Sequence, residues 1–131
     1  MTSDPGRAKI LVVDDEAEAC SLLREFFQDL YDVETAHDGA EALRKIGVFR
    51  PDCVLLDIRM PNLDGREVLR AAKPSYPEME IIMITGVGDG AMARECQTLG
   101  AFAYIMKPID LDVLESQVQS ALEKKNKRGE Y

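Results

Sequence analysis

Cys53-Val54-Leu55-Leu56-Asp57 decides the fold. Four consecutive apolar residues without polar alternation read as a strand buried on both faces, as in a parallel sheet covered by helices. The run then ends in a carboxylate. Three other runs share this form. Ile10-Leu11-Val12-Val13 ends in Asp14-Asp15, Ile81-Ile82-Met83-Ile84 in Thr85, and Ala103-Tyr104-Ile105-Met106 in Lys107. As parallel strands of one sheet, they bring three carboxylates, a hydroxyl and an ammonium to its carboxyl edge. That edge is where open α/β sheets bind ligands. The set suits a divalent cation and one phosphoryl group.

The rest of the chain supplies the crossovers. Lys9–Val13 reads as the first strand and Glu16–Leu30 as the first helix, with Leu22, Leu23, Phe26, Phe27 and Leu30 at helical spacing. Asp32–Ala36 is a short second strand. Gly39–Phe49 is a helix ended by Arg50-Pro51. Asp52–Leu56 is the third strand, and Met60-Pro61-Asn62-Leu63-Asp64-Gly65 is turn chemistry. Arg66–Ala72 is a helix expected to stop before Pro74 and Pro77. Glu80–Ile84 is the fourth strand, followed by a loop holding Gly86, Gly88 and Gly90. Ala91–Leu99 is a helix capped by Gly100. Phe102–Met106 is the fifth strand. Leu111–Lys124 is the last helix, with Leu111, Leu114, Val118, Ala121 and Leu122 on one stripe. Five alternations at a pitch of roughly 20–25 residues imply right-handed crossovers. The expected fold is α/β: a doubly wound five-stranded parallel sheet with five helices, flavodoxin-like. Residues 1–7 read as a disordered lead-in, 8–124 as the domain and 125–131 as a C-terminal tail.

The 131 residues suffice for one core. At 46% hydrophobic and 31% charged, the composition is that of a globular protein. The net charge of -8 argues against binding a nucleic-acid backbone, which needs clustered Lys and Arg. The one basic cluster, Lys124, Lys125, Lys127 and Arg128, reads as a solvated helix end. Cys20, Cys53 and Cys96 have no CxxC spacing and read as buried reduced thiols, which fits a reducing compartment. With no signal core or stretch of membrane-spanning length, the expected location is cytoplasmic.

Each site residue has an ordinary role to weigh against a chemical one. Asp14-Asp15 could be a solvated loop, with Asp15 capping the helix that follows. Beside a third strand-end Asp, metal binding is the better reading, because Mg²⁺ takes a few carboxylates and keeps several waters. Asp57 alone would be a satisfied strand end; near a cation it could attack phosphorus and form an aspartyl phosphate. Thr85 and Lys107 are weak signals singly. Together they offer a donor and a fixed charge to phosphoryl oxygens. A cis bond before Pro108 would aim the Lys, although only about 5–6% of X–Pro bonds in folded proteins are cis.

The ordered set Val13-Asp14-Asp15-Glu16, Leu56-Asp57-Ile58-Arg59-Met60-Pro61 with Asp64-Gly65, Ile84-Thr85-Gly86 and Lys107-Pro108 closely resembles the receiver domain of two-component response regulators. The resemblance spans about residues 8–124. It implies that Asp57 is the phosphoacceptor and that Asp14 and Asp15 bind Mg²⁺, with the backbone carbonyl of Arg59 completing the metal site. It further implies that Thr85 bonds the phosphoryl group, that Lys107 pairs with it, and that Tyr104 turns inward as the hydroxyl moves. Arg59 departs from the Asn of the chemotaxis receiver, which puts phosphoryl lifetime in doubt. The implied partners are a sensor histidine kinase or histidine phosphotransfer protein, and a downstream protein target. The target's expected docking face is helix four, strand five and helix five. Neither nucleic-acid binding nor membrane insertion is expected.

Rival readings stay open at this level. Gly86-Val87-Gly88-Asp89-Gly90-Ala91 fits G-x-G-x-x-A, but in the fourth βα unit and without the acid expected about 20 residues on. A haloacid-dehalogenase-like phosphatase would place an acid two residues after the nucleophile, where Arg59 cannot donate a proton. The chain is therefore not expected to turn over external substrates. His37, the single histidine, reads as a surface loop residue, so the phosphodonor His must come from a partner. A phosphate sink, a constitutive scaffold of receiver fold, and an N-terminal fragment of a longer regulator with an output domain are the alternatives.

Overall fold

The structure is a computed structural model that describes residues 6–86, 88 and 90–129. Most of the expected lead-in lies outside the described residues. Five parallel strands, β1 (Lys9–Val13), β2 (Asp32–Ala36), β3 (Cys53–Asp57), β4 (Glu80–Thr85) and β5 (Ala103–Met106), alternate with five helices. These are α1 (Ala17–Phe27), α2 (Gly39–Phe49), α3 (Gly65–Ser75), α4 (Gly90–Thr98) and α5 (Leu111–Gly129). The strand order is β2-β1-β3-β4-β5. This is the flavodoxin-like order, whose switch point lies between β1 and β3.

The unbroken apolar runs now have a physical reason. Successive side chains of a strand point to opposite faces, and here both faces are covered. Leu11, Val13, Val54, Leu56, Ile81 and Met83 pack with residues of α2, α3 and α4. Ile10, Val12, Cys53, Leu55, Ile82 and Ile84 pack with Cys20, Leu23 and Phe27 of α1 and Leu114, Val118 and Ala121 of α5. Burying a large aliphatic side chain fully contributes about 1.5–3 kcal/mol. The three central strands therefore supply much of the drive for folding. β2 and β5 are edge strands and are only partly buried.

Several boundaries differ from the sequence expectation. α1 stops at Phe27, with the Tyr31 N–H turning back to the Phe27 carbonyl at 3.0 Å. Leu30 lies beyond it, and Leu22 and Leu30 are exposed rather than core-facing. α3 continues through Pro74 to Ser75. Proline removes its own amide donor and its ring crowds the carbonyl four residues back, yet the ladder resumes with the Tyr76 N–H on the Ala72 carbonyl at 2.9 Å. The N-terminus of α3 is fixed by a capping box of Asp64 and Glu67. α5 does not stop at Lys124 but runs to Gly129. Its extension is held because Lys124 Nζ lies 3.3 Å from Glu80 and Lys125 Nζ lies 2.6 Å from Asp52. The expected tail from residue 125 is thus helical as far as Gly129. All three cysteines are buried and free.

Candidate functional site

Register places the site. Val13 pairs with Leu56, Asp57 with Ile84 and Thr85 with Met106, so the strand ends lie level along one edge. Side-chain alternation then divides them. Asp14, Asp57 and Lys107 share the parity of the strand residues that face α1 and α5. Thr85 and Tyr104 share that of the face packed on α4. The edge therefore touches the charged residues from one side and the switch candidates from the other.

Asp14, Asp15 and Asp57 each offer a carboxylate oxygen, and these oxygens lie within 4.8 Å of one another. Asp14 and Asp57 are buried, whereas Asp15 is exposed. Asp14 Oδ1 accepts the Glu16 N–H at 2.9 Å. α1 has no side-chain cap, so Asp15 is not spent on capping. Lys107 Nζ lies 3.0 Å from Asp14 Oδ2 and 3.5 Å from Asp57 Oδ2. Its backbone N–H is held by the Thr85 carbonyl at 2.8 Å, and the Lys107–Pro108 bond is cis. Asp15, Glu16, Asp57, Arg59, Thr85, Gly86 and Lys107 line an open cleft of about 300 Å³. Arg59 is exposed at its rim, and Thr85 is fully buried.

Three carboxylates face one ammonium. Burial first, and the Asp14 charge second, push the Asp57 carboxyl up from 3.8 to about 6, against the pull of Lys107 and the Arg59 N–H. Burial also works against the Lys107 ammonium, but its bonds to Asp14 and Asp57 outweigh this and hold it above its ordinary value. The uncompensated negative charge sits on hard oxygen donors, which is the donor set a small divalent cation accepts. The residues therefore fit Mg²⁺. Among the described residues this is the one such cluster of metal-ligating side chains.

The backbone near the site is tight. A Cβ at Gly65 would lie 2.1 Å from the Asp57 carbonyl oxygen, so only glycine fits there. The Gly65 N–H donates to the Ile58 carbonyl at 2.8 Å. Tyr104 is half-buried, and a Cβ at Gly88 would lie 1.9 Å from its hydroxyl. Sequence reasoning gave Gly65 only as turn chemistry and missed its contact with Asp57. It also missed Arg66, whose role depends on a partner on another helix.

The family model for the response regulator receiver domain matches residues 10–119. The chain belongs to this family. The receiver is 36% identical to sporulation initiation phosphotransferase F of Bacillus subtilis (strain 168), over 87% of this chain and 93% of that protein. It is 35% identical to the regulatory protein AtoC of Escherichia coli (strain K12), over 93% of this chain but only 27% of that longer protein. Among solved structures, the receiver resembles the Vibrio cholerae chemotaxis protein CheY4 with a TM-score of 0.84 and 32% identity, covering 89% of this chain and all of that one. No helix among the receiver's described residues is long and apolar enough to cross a membrane.

Proposed function

We propose that this receiver accepts a phosphoryl group on Asp57 from a phosphohistidine of a sensor kinase or phosphotransfer protein, and thereby changes its protein–protein contacts. The observation that carries this is the buried Asp57 carboxylate, 3.5 Å from Lys107 and clustered with Asp14 and Asp15 at an open cleft. Asp14, Asp15, Asp57 and the Arg59 backbone carbonyl would hold Mg²⁺. The bound ion supplies charge neutralisation of the acceptor carboxylate and the phosphoryl oxygens.

The chain's own residues do the rest. An Asp57 oxygen forms the new O–P bond as the donor's N–P bond breaks, and the leaving imidazole nitrogen takes up a proton. Lys107 offsets charge on the acceptor and then pairs with a phosphoryl oxygen. Thr85 donates its hydroxyl to another. Catalysis is mostly positioning and charge neutralisation. Movement of Thr85 toward the phosphoryl group frees space beside Tyr104, and both lie on the α4 face. We propose α4, β5 and α5 as the surface that then meets a downstream protein. With Arg59 two residues beyond the acceptor, no general acid serves external phosphate esters, so the only hydrolysis expected is slow loss of the receiver's own phosphoryl group. Its expected location is the cytoplasm.

Intact mass after incubation with acetyl phosphate and Mg²⁺ tests the proposal. One added phosphoryl group, absent in Asp57→Asn and in EDTA, is expected. No added group, together with no beryllofluoride binding in the presence of Mg²⁺, would refute it.

A further inference from the structure

Arg66 faces two ways. Its Nη2 bonds Asp64 Oδ2 at 2.9 Å, and its Nη1 bonds Glu95 Oε1 on α4 at 2.9 Å. One turn further along α3, Arg70 Nη2 lies 3.7 Å from the second Glu95 oxygen. Asp64 is itself fixed as the N-cap of α3. Between Asp64 and Arg66, Gly65 lies hard against the backbone of Asp57. The end of β3, the first turn of α3 and the Arg66 guanidinium thus form one block. Glu95 is where α4 is fastened to that block.

α4 is otherwise lightly anchored, with Met92 only partly buried against the core. It is the shortest helix of the described residues, at nine, and only Cys96 within it is fully buried. It follows Thr85 through a loop containing Gly86 and Gly88 and begins at Gly90, which puts few conformational limits on the helix's entry.

We infer that the Arg66–Glu95 pair, backed by Arg70, is a latch fastening α4 to the Asp57 block, and that releasing it is part of the cost of switching. It connects the acceptor strand to α4 by a route separate from Thr85 and Tyr104. The second half of the inference rests on the switching proposed above, whereas the latch itself does not.

The first readout is amide hydrogen exchange of α4 in the full, ligand-free chain. Glu95 is 40% exposed at its side chain, so Glu95→Gln leaves the core intact. This variant should speed α4 exchange roughly two- to five-fold, the range a partly exposed ion pair supports, and leave α1 and α2 unchanged. Arg66→Gln should speed α4 exchange less, because Arg70 still faces Glu95, and should also loosen the first turn of α3. The double variant should not exceed Glu95→Gln at α4, because the Glu95 variant already removes the pairing with both arginines. Unchanged α4 exchange in Glu95→Gln, or additive effects in the double variant, would overturn the latch. The second readout is beryllofluoride affinity with Mg²⁺, expected to rise roughly two- to five-fold in Glu95→Gln as less is spent on moving α4. Faster α4 exchange with unaltered beryllofluoride affinity would overturn the role in switching. If the unaltered chain fails to bind beryllofluoride while α4 exchange still responds, the phosphoryl reading fails and the latch stands.

Discussion

Asp57→Asn keeps the acceptor's shape and removes its charge, so it should stabilise the metal-free protein. The ionised Asp57 is held at a loss. Its carboxyl is pushed up from 3.8 to about 6 by burial and by Asp14. At about 1.36 kcal/mol per tenfold change in proton affinity, that corresponds to a ceiling of about 3 kcal/mol. That net shift already includes the 3.5 Å pairing with Lys107, but water enters the cleft beside exposed Asp15 and Arg59. Solvent screening in the open cleft reduces the expected gain to about 1–2 kcal/mol. For a domain of this size it corresponds to a melting temperature higher by roughly 3–10 °C in EDTA at neutral pH. The sign with pH follows from linkage. A carboxyl whose folded value is raised binds more protons folded than unfolded, so stability falls as pH rises from 3.8 through about 6. The gap between variant and wild type should therefore be near zero at pH 4 and complete above pH 6. Mg²⁺ should narrow it, because bound cation offsets the wild-type charge. Paired thermal scans across pH 4–8, with EDTA and with Mg²⁺, make the measurement. A variant that melts at or below wild type in EDTA, or a gap independent of pH, would refute the electrostatic reasoning.

Three other outcomes follow from the same geometry. Gly65→Ala places a methyl 2.1 Å from the Asp57 carbonyl oxygen; the end of β3 must shift, and acceptor activity should fall at least tenfold in a phosphorylation time course. Glu80→Ala removes a fully buried carboxylate lying 2.8 Å from Lys73 Nζ. Lys73 keeps its bonds to the Pro77 and Met79 carbonyls, so losing the charged partner should cost about 1.5–3 kcal/mol, read as a lower urea midpoint with an unchanged m-value. Thr85→Ala should still take up a phosphoryl group but weaken activation; full activation in a partner-binding assay would show that the hydroxyl is not coupled to output.

The fold was legible because both faces of the sheet are covered. A strand buried on one face alternates, but β3 and β4 do not, and that alone argued for helices on both sides. The site was legible because it is built from strand termini, which a sequence displays as abrupt changes from apolar to charged. Helix ends were less so. Pro74 marks a stop in local terms, yet its missing donor and crowded ring fall in the last turn of α3 and the ladder continues around it. α5 outran its expected end because Glu80 and Asp52, far away in sequence, receive Lys124 and Lys125. Arg66 was illegible for the same reason: it stands 29 residues from Glu95, and nothing in the spacing announces their meeting.

The energetics of a switch also decide how many residues must share it. A hydrogen bond to a charged group contributes about 1.5–3 kcal/mol. Moving a population from 1:99 to 99:1 takes about 5.5 kcal/mol. In the proposed switch, Thr85 bonding a phosphoryl oxygen would therefore supply about half of the swing at most. Lys107 can add to it only in part, because its ammonium is already engaged by Asp14 and Asp57 before any phosphoryl group arrives. The remainder must come from packing on the α4 face, where Tyr104 lies against Gly88 and belongs to the same apolar cluster as Met92. A weakly buried α4 keeps that remainder small. A helix with one fully buried residue can be displaced by a few kcal/mol, whereas one anchored like α5, with Leu114, Val118 and Ala121 all fully buried, could not.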